Sequence, residues 1–289
     1  MKEKLSKKIE WKYYNHALIP SIAPHEVPDL TPLKDGTIWK IGGGVPLLAR
    51  WTTDFGFSGE TNWWWVIKDD PFDISVLKSK RRYEINKGKK NFEVKIIDPL
   101  NYKNEIYMIT VAAYSQWDKK YRPAIEEVQF KKKLKNWTGN IIVMGAFERE
   151  ENKLCGYIWF TDKDDYADFN VMRVLPSSEK MGINAALVAG LCEYYNSRLE
   201  LDNGFYICDG SRSIYHETAF QNYLEKYFGF RKAYCHLNLL YRKPIGIVVN
   251  ILMPFRKILY KMDTIKIINM INGILRMEEI RRNQVYFAE

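Results

Sequence analysis

Residues 140–174 read N-I-I-V-M-G-A-F-E-R-E-E-N-K-L-C-G-Y-I-W-F-T-D-K-D-D-Y-A-D-F-N-V-M-R-V. The stretch falls into three runs, Asn140–Phe147, Lys153–Thr161 and Tyr166–Val174, parted by the charged clusters Glu148–Asn152 and Asp162–Asp165. Aromatic and β-branched residues suit a pleated, half-buried surface, and charged clusters between such runs mark turns. The spacing therefore predicts three consecutive antiparallel strands.

On the C-terminal side, Pro176–Met181 reads as a loop. Ile183–Leu199 reads as a helix, because Ile183, Leu187, Gly190, Leu191 and Tyr194 recur on one face of a 3.6-residue period. Gly204–Cys208 is a short buried strand and Asp209–Ser213 a polar loop. His216–Phe228 is a helix with Ala219, Phe220, Tyr223, Leu224 and Tyr227 inward, closed by Gly229 in the left-handed conformation, and Phe230–Tyr241 is a last strand. On the N-terminal side, a basic helix over 73–90 precedes a strand over 91–97. Helices follow over 101–116 and 123–136, with Pro123 in the first turn of the second. Before these lie a proline-rich connector over 20–36 and strands over 37–41, 45–52 and 62–67. Trp63-Trp64-Trp65 fits a strand with two rings inward and one outward.

The chain has 289 residues, 46% hydrophobic and 27% charged, which is globular composition and excludes a disordered or collagen-like chain. Its 44 Lys and Arg against 35 Asp and Glu leave a net charge of +9. The excess lies in residues 78–95, with eight Lys/Arg and two Glu, and in 242–289, with nine Lys/Arg and four acids. Two separated basic segments suit an anionic cofactor, precursor or membrane surface as well as RNA, and argue against DNA binding. Cys155, Cys192, Cys208 and Cys235 form no C-x-x-C pair and have no histidine at ligand spacing, so reduced, buried thiols and no metal are expected. The first twelve residues lack the apolar core of a secretory signal, and the longest apolar run, 245–253, is far short of a membrane span. The expected location is cytoplasmic, at most peripheral to the inner face of a membrane.

From Asn91 the predicted order is strand, two helices, three antiparallel strands, helix, strand, helix, strand. With Tyr223–Phe230 (Y-L-E-K-Y-F-G-F) closing the last helix, this order resembles the GNAT superfamily of acyl-CoA N-acyltransferases. The basic helix and the strand after it, S-K-R-R-Y-E-I-N-K-G-K-K then N-F-E-V-K-I-I, are similar to stretches of FemAB-like members. The resemblance implies an α+β fold, a mixed, mostly antiparallel sheet flanked by helices. It divides the chain into a β-rich extension over 1–90, a GNAT-like domain over 91–242 and a basic amphipathic helical tail over 243–289.

The resemblance also implies a site. The third strand of the triplet would splay from the next strand and admit the pantetheine arm of acetyl-CoA or another acyl-CoA. Arg173, Val174 and Leu175 are the matching strand positions. Lys180, Met181, Gly182, Ile183 and Asn184 match the loop whose N–H groups hold pyrophosphate at a helix N-terminus. That loop has one glycine where the family has two. Tyr223 is the candidate acid for the leaving group, although Glu225 occupies the family's usual tyrosine position. His216 and Glu217 are candidate bases. Asp209, Ser211 and Arg212 are candidates for binding substrate, with turn and capping roles as the alternative.

The implied reaction is acyl transfer to an amine, on a small molecule, an amino-sugar or a cell-envelope precursor. A FemAB-like transferase using aminoacyl-tRNA and an inactive GNAT-like binding protein are the alternatives. The tail, with apolar and cationic faces, suits docking on the protein's own core, an oligomer contact or an anionic membrane.

Overall fold

The computed structural model describes residues 10–119, 122–202, 204–215 and 218–284. Among the described residues eleven strands form two sheets: β1 (Trp11–Tyr14), β2 (Ala17–Pro20), β3 (Leu48–Thr53), β4 (Trp64–Lys68), β5 (Phe92–Ile96), β6 (Ile141–Glu148), β7 (Lys153–Asp162), β8 (Tyr166–Val174), β9 (Tyr206–Ser211), β10 (Arg231–Tyr234) and β11 (His236–Tyr241). The helices are α1 (Thr31–Lys34), α2 (Ser79–Asn91), α3 (Lys103–Ser115), α4 (Glu127–Lys133), α5 (Pro176–Glu179), α6 (Ile183–Leu201), α7 (Ala219–Phe228), α8 (Ile245–Leu252), α9 (Arg256–Leu259) and α10 (Lys266–Arg282). One sheet has the order β1-β2-β3-β11 and the other β10-β4-β9-β8-β7-β6-β5. The class is mixed α+β, and the element order expected from residue 91 onward is present.

The chain divides into two compact units that are not continuous in sequence: 1–65 with 211–218 and 232–289, and 66–210 with 219–231. This grouping differs from a linear partition at residues 90 and 242. β4 precedes the expected core in sequence yet pairs between β9 and β10, so the seven-stranded sheet recruits a strand from the N-terminal region.

In the larger unit, β5 through β8 form an antiparallel meander. Ile97, Ile106, Ile109, Val143, Phe147 and Tyr157 form a cluster where α3 covers this sheet. α6 is buried almost all round through its first ten residues, which fits a helix held between layers. Each Leu, Ile or Val buried there contributes about 1.5–3 kcal/mol relative to exposure. Its inward aromatic is Tyr195, at 1% exposure, not Tyr194 at 43%. Closest approach to α2 comes at paired glycines. A Cβ on Gly88 would run into the Gly182 carbonyl and lie 3.0 Å from Ala186 N, and a Cβ on Gly182 would lie 2.9 Å from Gly88 N.

In the smaller unit, β3 pairs antiparallel with β11 and parallel with β2. One face buries Trp11, Leu18, Ile38 and Ala49. The other buries Ala17, Leu48, Trp63, Leu237 and Met277, so α10 of the tail docks on this sheet.

Several expected elements differ, each for a local reason. Residues 37–40 form a 3-10 turn, not a strand, because Asp35 Oδ1 accepts from both the Thr37 N–H (2.8 Å) and its hydroxyl (2.6 Å). The basic helix starts at Ser79, since Asp73 caps a separate short turn and Leu77 is extended. It also runs past Gly88 to Asn91. α4 starts at Glu127 rather than at Pro123, because the Glu126 carboxylate accepts from the Val128 and Gln129 N–H groups at 3.0 and 2.7 Å. Residues 176–179 are a helical turn, not a loop, with Pro176 in its first position. Asp209–Ser211 extend β9 instead of forming a loop, and the last helix begins at Ala219. The single strand expected over 230–241 is two strands in different sheets. The join is Cys235, whose N–H donates to Trp63 O at 3.0 Å. Trp63 and Trp65 share one face, and Trp64 lies on the other against Arg212 and Lys232.

Candidate functional site

The parallel ladder between β8 and β9 has three pairs, Tyr166–Tyr206, Ala167–Ile207 and Asp168–Cys208, and then stops. β8 continues for six residues to Val174, still bonded to β7 on its other edge, whereas β9 continues to Ser211. Parallel strands that part in this way leave one edge of backbone donors and acceptors without ladder partners. Such an edge can pair with an extended ligand, and α/β sheets bind ligands at the carboxyl ends of their strands.

Asp209 is the first residue of β9 beyond the parting. Burial pushes its carboxyl up to about 7; a hydrogen bond with Gln221 opposes the shift and Asp168 adds to it. A carboxyl in that range is divided between acid and base forms at neutral pH, as general acid–base work requires. Gln221 is buried on α7 at 5% exposure, in register with Leu224 and Phe228. The helical period points to the aromatic residues of this helix as its inward face and leaves Gln221 off it. The signal was a polar residue at i, i+3, i+7 spacing from two apolar ones.

Tyr223 is partly buried among Phe220, Tyr227 and Phe228. Burial, then Tyr227 and Glu84, hold its phenol well above the usual range, so it keeps its proton at neutral pH. His216 and Glu217 lie outside the described residues.

Of the strand positions, Arg173 lies on the side of α3, with its guanidinium over the Tyr114 ring at 4.8 Å and Nη2 donating to Tyr114 Oη at 3.1 Å. Val174 is buried opposite Gly156, and the Leu175 N–H donates to Cys155 O at 2.8 Å. The loop 180–184 does reach the N-terminus of α6, where Gly182 has φ +87°. Its donors are already engaged in part: Met181 N–H bonds Ser178 O and Gly182 N–H bonds Glu179 O, both at 3.0 Å. Asn91 Nδ2 donates to Met181 O at 2.9 Å, and Gly182 is buried against α2. Lys180 is exposed, Ile183 is buried, and Asn184 Oδ1 is buried without a partner. The parted strands leave a backbone edge open to an extended ligand, and α2 packs on Met181 and Gly182 of the loop.

Ser211 and Arg212 belong to the smaller unit. Arg212 donates to Asn62 O at 2.8 Å and Ser213 O at 3.0 Å, and stacks over Trp64 at 4.5 Å. These contacts hold the guanidinium against backbone carbonyls and the Trp64 ring. The four cysteines are buried, and burial raises the pKa of each thiol. Among the described residues no group of His, Cys, Asp and Glu is arranged to hold a metal ion. No helix among them is long and apolar enough to cross a membrane.

No protein-family model and no curated protein matches the sequence. Solved structures do. The L-PGS of Bacillus licheniformis is 13% identical, with 85% of this chain and 84% of that chain covered at a TM-score of 0.51. FemX is 7% identical, covering 75% and 78% at 0.47. A tandem GNAT protein from the clavulanic acid biosynthesis pathway is 10% identical, covering 79% and 76% at 0.41. The likeness to the L-PGS structure is one of fold.

Proposed function

We propose that this GNAT-like chain is an acyltransferase, moving an acyl group from an activated carrier to an amine where β8 and β9 part. The observation that carries the reading is the end of the β8–β9 ladder at Asp168 and Cys208, with the Asp209 carboxyl next in line. In that role Asp209 takes the proton from the attacking amine. Tyr223, which keeps its proton, is the candidate donor to the departing group. The backbone edge of β8 aligns the donor. Aminolysis of an activated acyl group needs chiefly such positioning and polarisation.

Acetyl-CoA is the default donor on the GNAT resemblance. The covered 180–184 loop favours a second reading, an aminoacyl ester carried on tRNA, which needs no pyrophosphate cradle. α2 carries six Lys and Arg, with Lys80, Arg82 and Lys90 exposed, as a surface for RNA phosphates. Thermal denaturation with millimolar acetyl-CoA and, separately, filter binding of aminoacyl-tRNA across a salt series test the pair. A CoA-dependent rise in Tm supports the first donor, and salt-sensitive tRNA binding supports the second. The absence of both responses would overturn acyl transfer at this site.

For the acceptor, the tail supports a substrate at an anionic membrane surface. α8 and the turns after it expose Ile247, Val248, Ile251, Phe255 and Ile258, with Lys257 and Lys261 alongside. Apolar and cationic residues presented together bind an interface by burial and charge.

A further inference from the structure

The smaller unit contains a cleft of about 70 Å³ that is lined by neither Asp209 nor Tyr223. Its walls include Ile22, Pro24, Thr52, Trp63 and Trp65, and Arg50 of β3 projects among them. Arg50 lies in the apolar face of its sheet: its cross-strand neighbour is Leu239, its guanidinium carbon is 5.4 Å from the Trp63 ring centre, and Nη1 is 3.7 Å from Met277 Sδ. No carboxylate meets it among the described residues. Glu26, the acid on the lining, instead accepts from the Ala23 N–H at 2.8 Å. Burial lowers the Arg50 pKa, with Tyr14 acting the other way, yet a guanidinium remains charged at neutral pH.

Two further donors in the same walls lack acceptors. The indole Nε1 atoms of Trp63 and Trp65 are buried with no hydrogen-bond partner. A cation withdrawn from water in an apolar cleft is costly unless an anion meets it. The charge required is one negative unit, since a dianion would cost more to bring into these surroundings. The planar fork of arginine matches a carboxylate, and the ring walls match an apolar body.

We infer that this cleft binds a small monocarboxylate with an aromatic or branched aliphatic body, its carboxylate on Arg50 and its hydrocarbon between Trp63 and Trp65. The full chain is titrated with phenylacetate, phenylacetamide and inorganic phosphate, followed by Tm and by the indole N–H resonances of Trp63 and Trp65. Phenylacetate should raise Tm and shift both resonances, whereas the neutral amide and phosphate should do neither. Arg50→Met should weaken phenylacetate binding about 10- to 100-fold, the loss of one charge-assisted pair. It should also raise the Tm of the ligand-free protein, because an unpaired buried charge is gone. Trp65→Phe, which keeps the ring and removes the donor, should weaken binding less and serves as the second variant should Arg50→Met not fold. Equal responses to phenylacetate and its amide, a response to phosphate instead, or unchanged affinity in both variants would overturn the inference.

Discussion

Asp209 and Glu278 are carboxyls shifted in opposite directions, and the pair tests the electrostatics of each unit. Asp209 is raised to about 7 by burial. Its neutral form therefore favours the fold below about pH 4, and that contribution is lost as pH rises through about 7. Asp209→Asn stays neutral throughout, so its Tm relative to wild type should rise from pH 5 to pH 8, a gain of about 1–3 kcal/mol read by calorimetry. The same variant should lower kcat about 10²- to 10⁴-fold and remove a rising limb of the pH–rate profile near neutrality. An unchanged profile would place the base elsewhere. Glu278 is buried; burial acts to raise it, but hydrogen bonds from Arg281, Arg282 and Tyr241 outweigh burial and lower it. Its contribution is present above the unfolded carboxylate range and is lost as pH falls through the lowered value. Glu278→Gln should cost about 1–3 kcal/mol at pH 7 in urea denaturation, and progressively less as pH falls below the ordinary carboxylate range. Tyr223→Phe should lower turnover more than donor binding if its proton reaches the leaving group; equal loss in both would assign it to packing.

At the scale of elements, the crossing of α2 and α6 is the sharpest constraint. Gly182→Ala meets both a left-handed φ of +87° and a Cβ 2.9 Å from Gly88 N. The conformational cost is about 1–2 kcal/mol, and the clash adds about 1–3 more as overpacking. Gly56→Ala shares a positive φ, +81°, with open space around it, so it should show the first cost alone. Equal losses in the two variants, measured by denaturant midpoint, would refute the close approach. Much of this level was readable beforehand. The three strands from residue 141 to 174, the helix from Ile183, and the cap at Gly229, φ +72°, follow from periodicity and punctuation that are local properties of the chain. The false strand over 37–41 and the misplaced helix starts trace to single side-chain caps, Asp35 and Glu126, whose bonding depends on a turn already formed. Gly88 lies within α2, where the lack of a Cβ permits the close approach of Gly182.

For the whole molecule, the tail divides into a docked part and an exposed part. α10 buries Leu275, Met277 and Glu278, whereas α8 and α9 leave apolar side chains outward. Replacing Ile247, Ile251 and Phe255 by Ser should leave Tm nearly unchanged, because these side chains are already exposed, and should abolish flotation with phosphatidylglycerol vesicles. Persistent flotation would move the membrane contact elsewhere.

The amino-acid sequence by itself determined the three-strand run from residue 141 to 174, the helix after it and the two basic segments, since alternation, helical period and charge are written along the chain. It also brought Asp209 and Tyr223 into view through their place in that order. Tertiary structure alone decided where β4 pairs, how the last strand divides between two sheets, and which side chains meet across long separations. It turned Asp209 from a candidate for binding substrate into a carboxyl with a raised pKa, packed α2 on Met181 and Gly182, and set Arg50 among tryptophans with no acid opposite among the described residues. Burial and desolvation depend on every element that closes over a group, and no window of sequence contains them.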